Sequence, residues 1–291
     1  MKRRNLVLTL FLIVIVVVAS VVVIICCLSN GEVSYLQNID EIYIMESGIL
    51  RNNREWRNGE DISFSYDFSS PDFSLLLEQY DLEKTAGEGS EFEKALRVMN
   101  KFSPRLRHES NYDNHIEIRA LPLLEYSLDN KKQGINCRNK AQMFNEMMLS
   151  LSIYSRKVWI MPYSGYDNEC HVVNEIWDPT LNKWIMLDIS NNAYWIDEDG
   201  VPLSLLEIRE KGGNQTFCTP VIYGDDTKDK EKLRKKNESL FVYIMKNLAY
   251  FEYLDTYGSG ENGTIYLLYP ENMDTKYEYI ISENSIISSP F

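Results

Sequence analysis

Apolar residues along the middle of the chain recur at two different spacings, and the change of spacing separates helices from strands. From Ala141 onward, Phe144, Met148 and Leu151 follow at three or four residues, laying one apolar stripe along a helix. Cys137 falls in or just before its first turn, Asn136 has N-cap chemistry, and Gly134 allows a tight approach. Val158, Trp159, Ile160 and Met161 form a short apolar run within Lys157 to Pro162, which predicts a buried strand. His171 to Trp177 alternates, Asp178-Pro179-Thr180-Leu181-Asn182 is rich in turn formers, and Lys183 to Leu187 reads as a returning strand. The pattern therefore predicts an antiparallel hairpin. His171 opens one strand and Asp188 ends the other, so their side chains lie at the same end.

Upstream, Pro71 opens a helix through Tyr80 with Ser70 as its cap. Ser90-Glu91-Phe92-Glu93 is a capping box before a helix whose apolar face is Phe92, Ala95, Leu96 and Met99 and which stops before Pro104. Asn111 to His115 is a polar loop, and Leu121 to Leu128 a further helix. Ser29 to Gly59 is polar and reads as a stalk with one short edge strand, Ile42 to Met45. Leu233 to Leu254 is long, amphipathic and aromatic-rich; Thr264 to Tyr269 and Lys276 to Ile281 are strand-like. The chain carries no repeat, P-loop or dinucleotide fingerprint.

At the N-terminus the pattern loses its polar positions. Leu6 to Leu28 is almost unbroken apolar sequence, longer than the ~20 residues that cross a bilayer, and it lacks a small-residue cleavage motif. Lys2, Arg3 and Arg4 precede it, so the positive-inside rule predicts residues 1–5 in the cytoplasm and 6–28 as an uncleaved signal anchor. Residues 29–60 then form the stalk and edge segment, and 61–291 one extracytoplasmic domain. Cys26-Cys27 evokes a lipoprotein, but Ile25 stands where a small residue is required.

Composition changes the picture in three respects. With 44% apolar residues the domain has ample material for a core. Net charge of −13 argues against a nucleic-acid partner, because phosphate contacts need clustered Lys and Arg; the basic run Lys228 to Lys236 is interleaved with acids and reads as a solvated face. Of five cysteines, Cys26 and Cys27 fall in the apolar span, leaving Cys170 and Cys218 beside Cys137. Those two either pair, stay free, or, for Cys170 next to His171, take part in controlling oxidation of Cys137. His108, His115 and His171 lack metal-ligand spacing, so no metal or other cofactor is expected. Asn214, Asn237 and Asn262 open short glycosylation patterns.

The chemistry is concentrated in Cys137, His171 and Asp188. A thiol becomes nucleophilic as a thiolate, which a helix start and a nearby imidazole stabilise, and a carboxylate holds that imidazole in place. Gly134-x-x-Cys137-x-x-x-Ala141, His171 before Val172-Val173-Asn174-Glu175-Ile176-Trp177, and Trp184-x-x-Leu187-Asp188 together resemble the transglutaminase-like superfamily over about residues 91–196. The resemblance implies an α+β, papain-like transglutaminase core, with N-terminal helices and a nucleophile helix packed on an antiparallel sheet, behind the single transmembrane helix. It implies acyl transfer or hydrolysis at amide bonds of a protein or peptide substrate, with cell-envelope peptides among the options. The superfamily contains cross-linking enzymes, peptidases, amidases and inactive members, so the alternatives are a cysteine peptidase of envelope peptides or a catalytically inactive binding or scaffold module. Many relatives carry Pro-Thr after the aspartate where this chain has Ile189-Ser190. An oxyanion needs two donors; the Cys137 N–H is one, and Asn114, His115 and Tyr112 have the chemistry of the other, unless their loop is merely solvated.

Overall fold

The computed structural model describes residues 39–130, 132–223 and 228–291. The apolar span 6–28 lies outside the described residues; among those described, no helix is long and apolar enough to cross a membrane. The chain divides into two compact units at Ile44/Met45, and the sheet and the candidate site lie in the second.

In chain order the elements are α1 (Ile39–Asn52), β1 (Ser65–Tyr66), α2 (Pro71–Gln79), α3 (Leu82–Ala86), α4 (Glu91–Phe102), α5 (Ala120–Asp129), α6 (Cys137–Ser150), β2 (Ser155–Met161), β3 (His171–Asp178), β4 (Lys183–Asp188), β5 (Ala193–Ile196), α7 (Leu205–Asn214), β6 (Thr219–Ile222), α8 (Lys230–Lys246), β7 (Tyr250–Leu254), β8 (Thr256–Tyr257), β9 (Ile265–Leu268) and α9 (Glu283–Ile287). Seven strands form one antiparallel sheet in the order β6-β5-β4-β3-β2-β7-β9. The fold is α+β. Helices α2, α4, α5 and α6 bury Phe73, Leu76, Met99, Phe102, Leu123, Phe144 and Met147 against Ile176, Ile185 and Leu187 of the sheet.

Local chemistry explains several boundaries. Ser90 accepts from Glu93 N while Glu93 bonds back to Ser90 N, closing the capping box that starts α4. Ser70 holds the N-cap position of α2, but its side chain makes no capping hydrogen bond; Pro71 at the first position sets that start instead. The Leu233–Leu254 segment divides at Asn247, ending α8 before β7.

Two sequence expectations are corrected. Ile42–Met45 is helix rather than edge strand: it lies inside α1, where Asp40 and Glu41 sit in the first turn and Arg51 in the last, matching the helix dipole. Lys276 to Ile281 forms no extended strand; its pairing is confined to isolated parallel bridges of Ile280 with Leu267 and of Ile281 with Glu60. Tyr277 and Tyr279 remain exposed there, so aromatic content suggested a longer strand than the two bridges pair.

Helix α6 also departs from its pattern. A single stripe predicted one buried face, yet Asn139 through Leu149 are all buried, because helices cover what the sheet does not. Phe144 is wholly enclosed. Truncating it to Ala is expected to cost about 3–5 kcal/mol through lost burial and an unfilled cavity. Chemical denaturation reads this directly; a loss below about 1 kcal/mol would mean the core collapses around the gap.

Candidate functional site

Asn136 starts α6 by accepting from Asn139 N at 3.1 Å, which leaves Cys137 as the first helical residue. Its thiol hydrogen-bonds the His171 ring and takes the Val172 N–H, both supplied by the first two residues of β3. The β3–β4 register, Asn174 opposite Leu187, carries Asp188 to the same sheet end as His171, and their side chains meet, Nε2 to Oδ2, at 2.8 Å. With Nε2 so engaged, Nδ1 is the ring atom left for sulfur. Asp188 is fully buried and accepts further from Asn191 Nδ2 at 2.7 Å and from the Ser190 and Asn191 N–H groups.

Electrostatics sort the three groups into opposite charge states. Burial would raise the Cys137 thiol, but the His171 hydrogen bond and charge, with the Val172 N–H, outweigh it and hold the pKa below its usual value. Burial likewise disfavours His171 as a cation, and the Asp188 charge and hydrogen bond reverse this, raising its pKa. Asp188 is lowered: the imidazolium and Asn191 overcome its own desolvation. Within one turn of the sulfur, burial drives Lys140 down to about 8, its ammonium donating to Leu106 O at 2.9 Å. Tyr243 of α8 packs edge-on against the His171 ring, centroids 5.4 Å apart.

Polar residues lock the helix that presents the thiol. Lys157 of β2 donates to Gln142 at 2.8 Å and pairs with Glu261, which also grips the Arg138 guanidinium. Glu146 accepts from Gln142, from Gly260 N and from Ala120 N, and Asn174 donates to Ala141 O at 2.9 Å. Arg156, pointing the other way by strand alternation, pairs with Glu175 on the opposite sheet face. A cavity of about 560 Å³ opens on that second face, lined by Arg156, Glu175, Trp184 and Arg209 and by none of the three groups above.

Thus Cys137, His171 and Asp188 come together. Of the three oxyanion donors considered, Asn114 accepts from Asn136 Nδ2 at 3.1 Å and is thereby tied to the α6 start. His115 turns to Asp113, and the Tyr112 hydroxyl oxygen accepts from Ile116 N at 3.1 Å. Cys170 and Cys218 are both unpaired. Among the described residues no cluster of three metal-ligating side chains occurs. Sequence reading missed Val172 N–H, Asn191 and Tyr243. Asn191 was within reach of it as a polar residue three places after the aspartate; Tyr243, far along the chain, left no such signal.

The transglutaminase-like superfamily model matches residues 78–189, the stretch holding all three groups. No curated protein matches the chain. Among solved structures, the crystal structure of Rad4-Rad23 bound to a 6-4 photoproduct UV lesion is similar over 73% of this chain, with TM-score 0.25 and 12% identity. This chain spans 59% of that one, and the likeness is too slight to bear on fold or function.

Proposed function

We propose, from the match of residues 78–189 to the transglutaminase-like superfamily model, that the chain is a thiol-dependent acyltransferase or hydrolase acting on amide bonds of polypeptides. Cys137 is the nucleophile, His171 the proton carrier and Asp188 its orienting group. The observation that carries this reading is the unbroken hydrogen-bonded series from a buried carboxylate through an imidazole to a thiol at a helix start.

The Cys137 thiolate attacks the carboxamide carbon, forming a C–S bond and an oxyanion that the Cys137 N–H stabilises. Asn114 is the preferred second donor, since Asn136 holds its Oδ1 and leaves its amide nitrogen free to donate. As the oxyanion collapses the C–N bond breaks, and the His171 imidazolium protonates the departing amine. Water or a second amine then attacks the thioester, His171 takes the incoming proton, and the C–S bond breaks to restore the thiolate. Water yields hydrolysis, an amine yields cross-linking. No cofactor is needed for either.

Brief alkylation of the native protein near pH 7 tests the nucleophile. Cys137 has a depressed pKa, whereas burial raises Cys170 and raises Cys218 to about 11, so Cys137 is expected to label first. Mass spectrometry reads the order; equal labelling of the three would sink the assignment. The apolar segment 6–28 supports a position for this site outside the membrane. Protease added to intact cells is then expected to digest the region after Leu28, and full protection would reverse the topology.

A further inference from the structure

A row of strand positions leads away from the sulfur on the sheet face that carries α6. Residues directly opposite in antiparallel pairs share a face, and Val172 stands opposite Trp159, which stands opposite Glu252. Lys157, on the same face of β2 as Trp159, reaches α6 through Gln142. Since Val172 N–H bonds the Cys137 thiol, this row begins at the sulfur and ends two strands away, roughly 10 Å on, at Glu252.

Glu252 is half-buried, and among the described residues no hydrogen bond or ion pair engages its carboxylate. A desolvated charge without a partner is costly, and burial raises its pKa with no cation to oppose it. Aromatic rings gather beside it. Tyr250 lies two residues earlier on the same face and meets Tyr269 with centroids 4.8 Å apart; Tyr277 is near enough to both to act on them electrostatically. Tyr277 is 60% exposed, so this end of the row is open to solvent. Arg57, the cation near Tyr269, is occupied by the Pro270 and Met273 carbonyls. An unpaired carboxylate and ring faces attract the same ligand chemistry, a cation with an apolar stem.

We propose that Glu252, with Tyr250, Tyr269 and Tyr277, forms a specificity subsite for a basic side chain, lysine or arginine, of the polypeptide substrate. The subsite rests on the acyl-transfer reading of Cys137 and adds to it the class of substrate. A cation at Glu252 is too far from the sulfur to be the attacking amine. It belongs instead to a residue about one to three positions from the acyl carbon, at ~3.4 Å per extended residue. The chain's net charge of −13 favours the approach of such substrates.

The test uses peptides that carry a cysteine-reactive electrophile in place of the scissile amide, with lysine, norleucine or glutamate placed one, two or three residues away. At one of these positions the lysine probe is expected to label Cys137 about tenfold faster than the norleucine probe, with glutamate slowest. In Glu252→Gln that lysine-to-norleucine ratio is expected to fall to near one, and in Tyr277→Ala to fall part of the way. Thermal melts confirm that both variants are folded. Unreactive amide versions of the same peptides, bound to Cys137→Ala, give the lysine preference independently of the chemistry. If no probe labels Cys137 yet the amides still show a lysine preference that Glu252→Gln removes, the acyl-transfer reading fails and the subsite stands. Absence of lysine preference at every position, or its survival in Glu252→Gln, overturns the subsite.

Discussion

Replacing Cys137 by serine is expected to remove turnover, by roughly 10⁴-fold or more, while the melting temperature stays within a degree or two of the parent. The hydroxyl keeps the size and place of the thiol at the first position of α6, where Asn136 rather than residue 137 supplies the cap. Serine cannot exist as an anion there, so the arrangement that stabilises a thiolate beside the His171 imidazolium has nothing to act on. Thermal melts run alongside amide turnover decide the matter. Full activity in the variant would end the assignment of Cys137, and a drop of many degrees would recast it as a packing residue.

Replacing Asp188 by asparagine is expected to lower turnover roughly 10²- to 10⁴-fold. Two causes combine. The amide lacks the charge that raises His171, so the imidazolium gives up its proton at lower pH and the alkaline limb of the activity profile moves down. The carboxylate also receives four donors, from His171, Asn191 Nδ2 and two backbone N–H groups. An amide offers one oxygen, and its NH₂ must face at least one of those donors, so stability falls as well. In the parent, Asp188 has a lowered folded pKa; its contribution is present above the unfolded value of ~3.9 and disappears as pH falls through the folded value. The asparagine variant is expected to lack that acid-side component in melts taken against pH. An unmoved alkaline limb with unchanged turnover would show that Asp188 serves only the β4 end.

The three chemical groups were legible in the chain because each sits at an element boundary that local pattern marks. Asn136 and the apolar stripe after it place Cys137, and the turn cluster Asp178 to Asn182 sets the register that brings His171 and Asp188 to one end. Spacing does the work here, since a hairpin's length and turn are properties of contiguous residues. Residues 39–52 show where that reasoning stops, for a short apolar run such as Ile42–Met45 suits a strand or a helix equally until its neighbours are known.

Contiguous pattern thus determined the helix start, the hairpin and the α+β class, because those depend on propensity, capping and period. Tertiary structure alone decided that α6 is buried on every side, that Lys157 and Glu261 clamp it, and that Tyr243 covers His171. It also decided that Glu252 lies two strands from the sulfur. These contacts join residues about a hundred positions apart, as Lys157 and Glu261 do with a separation of 104. Their attraction depends on desolvation and on the order in which strands are laid side by side. Neither quantity exists until the sheet has closed around the helix.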